Sequence, residues 1–129
     1  MTEIDNWARD MFKAMDAGDF DALRNYLADN LRFRMANFPV AEGYDAFQTG
    51  AEANKKFVKQ FRHDILGIWT GTWAHGDVIA IEADVTYDLL DGRRIVLQAT
   101  STIRRQSSKA VDYRVFMDPS PLYESRPTE

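Results

Sequence analysis

Cysteine is absent from this 129-residue chain, which excludes disulfides, thiolate zinc sites, iron–sulfur clusters and cysteine nucleophiles. Histidine occurs only twice, at His63 and His75, too few for a histidine-rich metal site. Basic charge is in deficit, with 16 Lys and Arg against 20 Asp and Glu and a net charge of −4. Such a balance gives no general electrostatic reason to bind nucleic acid or anionic lipid. No stretch approaches the ~20 apolar residues of a membrane-spanning helix. The start, MTEIDNWARDMF, lacks the basic opening and unbroken apolar run of a signal peptide, so the expected compartment is the cytoplasm. Internal repeats, low-complexity tracts and linkers are also missing. Residues 1–129 therefore read as one domain, with a frayed polar tail after about 123. With 45% apolar and 28% charged residues, a chain of this size can bury roughly two thirds of its unfolded surface in one core.

The chain has two halves of different period. Ile4, Trp7, Ala8, Met11, Phe12 and Met15 follow the i, i+3, i+4, i+7 spacing of a helix, with Thr2 and Asp5 as a capping pair and Gly18 as its stop. Asp19 can cap a second short helix that buries Phe20, Leu23, Tyr26 and Leu27. Leu31 to Asn37 reads as a strand, broken by Pro39 and Gly43. A third helix is expected from about Tyr44 to Phe61, with Asn54 within its apolar seam. From His63 the period becomes two. HDILGIWTGTW, VIAIEADVTYDLL, RRIVLQATSTIRR and VDYRVFMD are strand-like, with Asp91-Gly92 the strongest hairpin signal. Helices followed by a meander predict an α+β fold, three helices packed on one face of an antiparallel sheet.

That order resembles the NTF2-like superfamily, and within it the SnoaL-like branch of polyketide cyclases. The resemblance spans about Thr2 to Tyr123. It is carried by Gly18-Asp19-Phe20, Gly43-Tyr44-Asp45-Ala46-Phe47, Asp91-Gly92-Arg93 and Arg114-Val115-Phe116-Met117-Asp118. It implies a strongly curved, cystatin-like sheet wrapped around the helices as a cone, a pocket at the open end, and dimers formed through the sheet's outer face. It does not choose an activity, because members include isomerases, epoxide hydrolases, cyclases, dehydratases and non-enzymes.

Glu82, Asp84, Thr86 and Asp88 alternate with Ile81, Ala83, Val85 and Tyr87 along one strand. Pattern alone puts the apolar set inside and the acids in solvent. The resemblance implies the reverse. In its limonene-epoxide-hydrolase branch a catalytic Arg and Asp lie two apart before an Asp-Gly-like turn, at positions matching Glu82 and Asp84. Asp84 is then a carboxylate in an apolar pocket and a usable general acid or base, with Glu82 beside it; Asp88, near the turn, is expected to matter little. The same comparison argues against a standard epoxide hydrolase. Asn37-Phe38-Pro39 resembles that branch's Asn-x-Pro, but Met35 stands in place of its Tyr, Val115 in place of its second Asp, and Glu82 in place of its Arg. Ketosteroid-isomerase-like chemistry needs a carboxylate and a donor such as Tyr. Of Tyr26, Tyr44, Tyr87 and Tyr113, the last alternates with Val115 and Met117 and shares their inward face.

The expected site is thus Asp84, Glu82 and Tyr113, lined by Met35, Asn37, Phe38, Asn54, Phe57, Trp69, Val115 and Met117. No metal is expected, since Glu82, Asp84 and Asp88 are spread too far along one strand, and no cofactor is expected. His63 reads as a structural histidine at a helix or strand end. The functional expectation is a pocket protein for a small apolar or aromatic molecule, catalysing isomerisation, cyclisation or dehydration. The alternative is a non-catalytic binding or accessory protein. Trp69, Trp73 and Phe116 on the sheet's outer face predict a homodimer.

Overall fold

The computed structural model describes residues 2–124, so the expected tail from 125 onward lies outside the described residues. Helix α1, Glu3–Ala17, starts at a capping box. Thr2 Oγ1 accepts the Asp5 N–H at 3.1 Å, and the Asp5 carboxylate accepts the Thr2 N–H at 3.3 Å. It ends at Gly18, whose left-handed φ of 65° suits a residue without Cβ. The stripe Trp7, Ala8, Met11, Phe12, Met15 is buried as its spacing requires. Helix α2, Phe20–Leu23, is capped by the Asp19 carboxylate. Strand β1, Leu27–Met35, and a two-residue strand β2, Ala41–Glu42, precede α3, Tyr44–Ala53. Strands β3 (Val58–Trp73), β4 (Gly76–Leu89), β5 (Arg94–Gln106) and β6 (Lys109–Phe116) follow, and a last turn, α4, covers Ser120–Tyr123.

Two expectations are corrected. The third helix stops at Ala53, tightens into a 3₁₀ turn over Asn54–Lys56, and gives way to β3 at Val58. Val58, Phe61 and His63 pair across β4 with Leu89, Tyr87 and Val85, and this cross-strand burial outweighs the helical spacing of the same residues. The sheet, moreover, is not wholly antiparallel. Its order is β2-β1-β6-β5-β4-β3, and β1 runs parallel to β6, with Phe33 opposite Tyr113 and Met35 opposite Val115. The first long strand joins the last after the meander is complete, and neither local turn chemistry nor periodicity encodes that pairing.

The sheet is curved and unclosed. Its inner face carries Ile79, Ile81, Val85, Ala99, Ile103, Tyr113 and Val115 against α1, Leu23 of α2, and Tyr44 and Phe47 of α3. Burying each of the larger aliphatic side chains among them contributes about 1.5–3 kcal/mol. At one end Arg105, 6% exposed, ties the layers together. Its guanidinium donates to Glu3 of α1 at 3.2 Å and to Asp77 of β4 at 2.7 Å, and lies 5.0 Å from the Trp7 ring centre. Gly76 makes this possible, because any Cβ there would run into the Arg105 carbonyl oxygen.

Three neighbouring strands are clasped on the outer face by Asp88. Its carboxylate accepts from Gln60 of β3 at 2.8 Å and from Arg94 of β5 at 2.7 Å. These hydrogen bonds, Arg94 first, hold the carboxyl down at about 2, so the residue does more than its place near a turn suggested. A carboxyl with a depressed folded pKa adds stability above its unfolded value of ~3.9, and that contribution disappears as pH falls toward 2. Asp88→Asn is expected to lower Tm at pH 7 and to flatten the Tm–pH curve between pH 4 and 2. Thermal melts of both proteins across that range check this.

Candidate active site

Strand β4 decides where the acids go. Ile79, Ile81 and Val85 belong to the core beneath the helices, with Tyr87 packed against it. Successive residues of a strand face opposite ways, so Glu82 and Asp84 lie on the outer face. Glu82 is exposed, and both line an open depression there with Gln98, Thr100 and Phe116. This overturns the inward placement of Glu82 and Asp84. A one-residue slip would bring them in, but at the cost of exposing the isoleucines and desolvating two carboxylates.

The inner face holds a different polar set. Asp16, in the last turn of α1, reaches His63 of β3 twice: Oδ1 lies 2.6 Å from Nδ1, and Oδ2 accepts the His63 backbone N–H at 2.9 Å. A carboxylate can only accept, so Nδ1 carries the hydrogen, and in the neutral imidazole Nε2 is the nitrogen with the free lone pair. The imidazole is packed by Phe12 (ring centres 4.5 Å apart) and Phe61 (5.7 Å). Phe61 stacks in turn on Tyr87 at 6.0 Å. Since Val85 sits opposite His63, Tyr87 is the diagonal cross-strand neighbour of His63, within reach across one small ring. The Tyr87 hydroxyl has a weak partner, the Met117 sulfur at 3.9 Å. Tyr113 is as far inside as the sequence pattern indicated, 2% exposed, between Phe12 and Phe33 and beside Ser101. The Asp16 charge acts on both tyrosines, so Asp16, His63, Tyr87 and Tyr113 form one electrostatic neighbourhood.

The expected lining residues divide. Met35 and Val115 are register partners on the inner side, and Met117 touches Tyr87. Phe38 and Phe57 meet at the ring of Tyr123, 5.9 and 5.3 Å away, where the loop after β1, the start of β3 and α4 come together. Trp69, 56% exposed, stands on the outer face over Gly67; the bulge between Ile65 and Gly67 shifts its side. Asn37 lines an outer depression with Arg34 and Arg114, and Asn54 is exposed on the 3₁₀ turn. These three leave the site. Tyr26 and Tyr44 are structural: Tyr26 packs on Trp7, and the Tyr44 hydroxyl donates to the Phe20 carbonyl at 2.7 Å. Asp16 was missed altogether. The one signal for it is its seat: it follows Ala8 and Phe12 at i+4 spacing, so a carboxylate occupies the next inward place of an apolar stripe. Among the described residues no group of three or more His, Cys, Asp or Glu is placed to hold a metal.

The SnoaL-like domain family matches residues 8–113. The chain belongs to that family. Its solved structural relatives include an NTF2-like protein of unknown function from Burkholderia pseudomallei, 15% identical, with TM-score 0.81 and 95% of each chain covered. A putative SnoaL-like polyketide cyclase from Jannaschia is 12% identical with TM-score 0.72, covering 95% of this chain and 93% of that one. An LEH-like epoxide hydrolase from M. tuberculosis is 17% identical with TM-score 0.72, covering 92% and 84%. At such identities the likeness establishes the NTF2-like fold alone. Comparison with curated protein sequences gives no match. No helix among the described residues is long and apolar enough to cross a membrane.

In this SnoaL-like domain the two inner tyrosines stay neutral well into the alkaline range. Burial pushes Tyr87 up to about 12, with smaller contributions from Tyr123 and Asp16. Burial likewise raises Tyr113, opposed by the neighbouring Ser101 hydroxyl. Both therefore remain hydrogen-bond donors at physiological pH. A raised folded pKa means stability that is full below the unfolded value of ~10 and is lost as pH climbs through the folded value. For Tyr87 the loss is about 2–3 kcal/mol. Tyr87→Phe is expected to remove most of its share of the stability decline between pH 10 and 12, read from urea midpoints at each pH.

Proposed function

We propose that this SnoaL-like domain binds a small, mostly apolar or aromatic molecule inside the sheet and moves a proton on it without a cofactor, as an isomerase, cyclase or dehydratase does. The observation that carries the reading is the Asp16–His63 pair, buried among Phe12 and Phe61 and diagonal to the weakly partnered Tyr87 hydroxyl. In the proposed step, Nε2 of His63 takes a proton from an acidic C–H or O–H of the substrate. Asp16 holds the ring and steadies the imidazolium that forms. Tyr87 donates to the substrate oxygen on which the electron pair comes to rest. The proton on Nε2 is then returned to another atom of the same molecule, so an isomerisation balances with no oxidant or metal. For a dehydration it goes to a departing hydroxyl, which leaves as water. Met35, Val115 and Met117 supply apolar surface on the same inner side. The dual bond of Asp16, which also ties down a backbone N–H of β3, favours a second reading. In it the pair is a strand clamp and the protein binds its ligand without turnover. The exposed Leu66, Trp69, Val96 and Phe116 on the outer face support pairing of two copies through the sheet.

A thermal-shift screen of lactones, steroids, terpenoids and aromatic polyketides tests the site, because a ligand of the folded state raises Tm by mass action. The expected hit is transformed by the natural protein, and His63→Gln lowers turnover by ~100-fold or more while still binding. Binding that is lost in Val115→Trp, with no turnover in either protein, establishes the non-catalytic reading. Hits that bind Val115→Trp as well as the natural protein lie outside the sheet and reject the interior site.

A further inference from the structure

The β1–β6 seam of the outer face carries a depression of about 220 Å³, on the side of the sheet away from Asp16 and His63. Arg34 of β1 and Arg114 of β6 line it as direct register partners, so two guanidinium groups rise from strands ~4.8 Å apart. Like charges side by side on neighbouring strands repel. The acids nearby do not offset them. Asp112 is shared between Arg114 at 2.9 Å and Arg104 at 3.7 Å, and Glu42 lies 3.5 Å from Arg32. Four cations against two anions leave an excess of two positive charges. Arg34 meets no carboxylate among the described residues. Its Nε donates to the Phe38 carbonyl at 3.0 Å, which fixes the guanidinium and leaves both Nη groups without a partner among those residues. Arg114 spends Nε and Nη2 on Asp112, and its Nη1 is likewise left over.

The rim is fixed as well. Ala36, in the loop after β1, has a φ of 49°, uncommon for a residue with a Cβ, and its N–H donates to the Val115 carbonyl at 2.8 Å. The Phe38 N–H is spent on the Met35 carbonyl at 3.0 Å. With both amides used, the loop is not a nest of successive free N–H groups of the kind that cradles phosphate. What is left to a ligand is the two guanidinium groups, the exposed Asn37 amide, and apolar surface from Val40 and from Phe116, itself 56% exposed. We propose that this depression binds an organic carboxylate with a small flat apolar body, the carboxylate bridged between Arg34 and Arg114 and the body against Phe116. A carboxylate matches the planar guanidinium fork, and hydrogen bonds between charged partners are the strong ones. The volume falls below the ~300–1,000 Å³ of drug-sized sites, which limits the body to about one ring with a short arm. The site shares no side chain with the proton-transfer set, so it stands or falls independently of the interior reading.

The experiment titrates trans-cinnamate into the isotope-labelled protein and follows backbone amide shifts by NMR, with cinnamamide and inorganic phosphate as parallel titrants. Cinnamate is expected to bind with a Kd of about 1 mM or tighter and to move the amides of Arg34, Asn37, Arg114 and Phe116. Cinnamamide, the same shape without the charge, is expected to bind ~10-fold more weakly or worse, and so is phosphate. Arg34→Gln and Arg114→Gln, each checked for folding by circular dichroism, are each expected to weaken cinnamate by ~10-fold or more. Arg114→Gln leaves the Arg34–Phe38 bond in place, so its loss of binding does not come from a disturbed loop. Cinnamate shifts confined to the surroundings of Phe12, His63 and Tyr87, with an affinity that neither variant changes, overturn this site while favouring the interior one. Equal affinity for phosphate marks a patch for any oxyanion and overturns the carboxylate assignment. Equal affinity for cinnamamide overturns the role of the arginines, and no binding of cinnamate at ~10 mM overturns the proposal outright.

Discussion

Everything in this molecule hangs on which face of β4 enters the core. Ile79, Ile81 and Val85 of the strand share one buried cluster with Ala8, Met11, Phe12 and Met15 of α1, and these residues are buried almost completely. Because a strand's side chains alternate, that single burial choice assigns every other residue of β4 at once. It sends Glu82, Asp84 and Asp88 to the outer face and Tyr87 to the inner. Through the register with β3 and β5 it also sets His63, Phe61 and Ser101 inward, and Asp64 and Gln98 outward. The interior chemistry and the charged exterior are two sides of the same packing decision.

Much of this was legible in the chain, and what was not has physical reasons. The first helix with its cap, the four long strands, the Asp91-Gly92 turn and the α+β class follow from short-range spacing, which one sequence displays fully. The inward position of Tyr113 with Val115 follows from alternation. The family likeness points the carboxylates of β4 inward, whereas the strand's own alternation puts its apolar residues inside and its acids outside, and the structure follows the alternation. The Asp16–His63 pair was invisible for another reason. Its members are 47 residues apart, each sits in an ordinary local setting, and their meeting depends on how α1 lies across β3. Trp69 faces outward rather than lining the interior because the bulge between Ile65 and Gly67, which periodicity cannot anticipate, reverses the sides of the residues after it.

The two inner tyrosines share one environment and differ in their partners. Both are buried by the same apolar surroundings that stabilise the sheet, and both are held neutral for that reason. They differ in what their hydroxyls meet. Tyr113 has Ser101, whereas Tyr87 has a thioether, a poor acceptor. A donor left so weakly satisfied in an apolar setting costs stability, and in the proposed reaction it is the group that meets the substrate oxygen.

The parallel pairing of β1 with β6 has a consequence for how the chain is made. Leu27 and Leu31 of β1 are fully buried in the finished structure, yet the strand they belong to cannot complete its ladder until Lys109–Phe116 exists. During synthesis at ~5–20 residues per second, the N-terminal helices and β1 wait several seconds with their apolar sides uncovered. The β3–β5 meander can form first from local contacts, whereas the β1–β6 ladder closes a loop of about 80 residues and bears the entropy of long-range pairing. Late closure of the sheet is thus built into the topology, and the exposed interval falls on the segment that later carries Asp16.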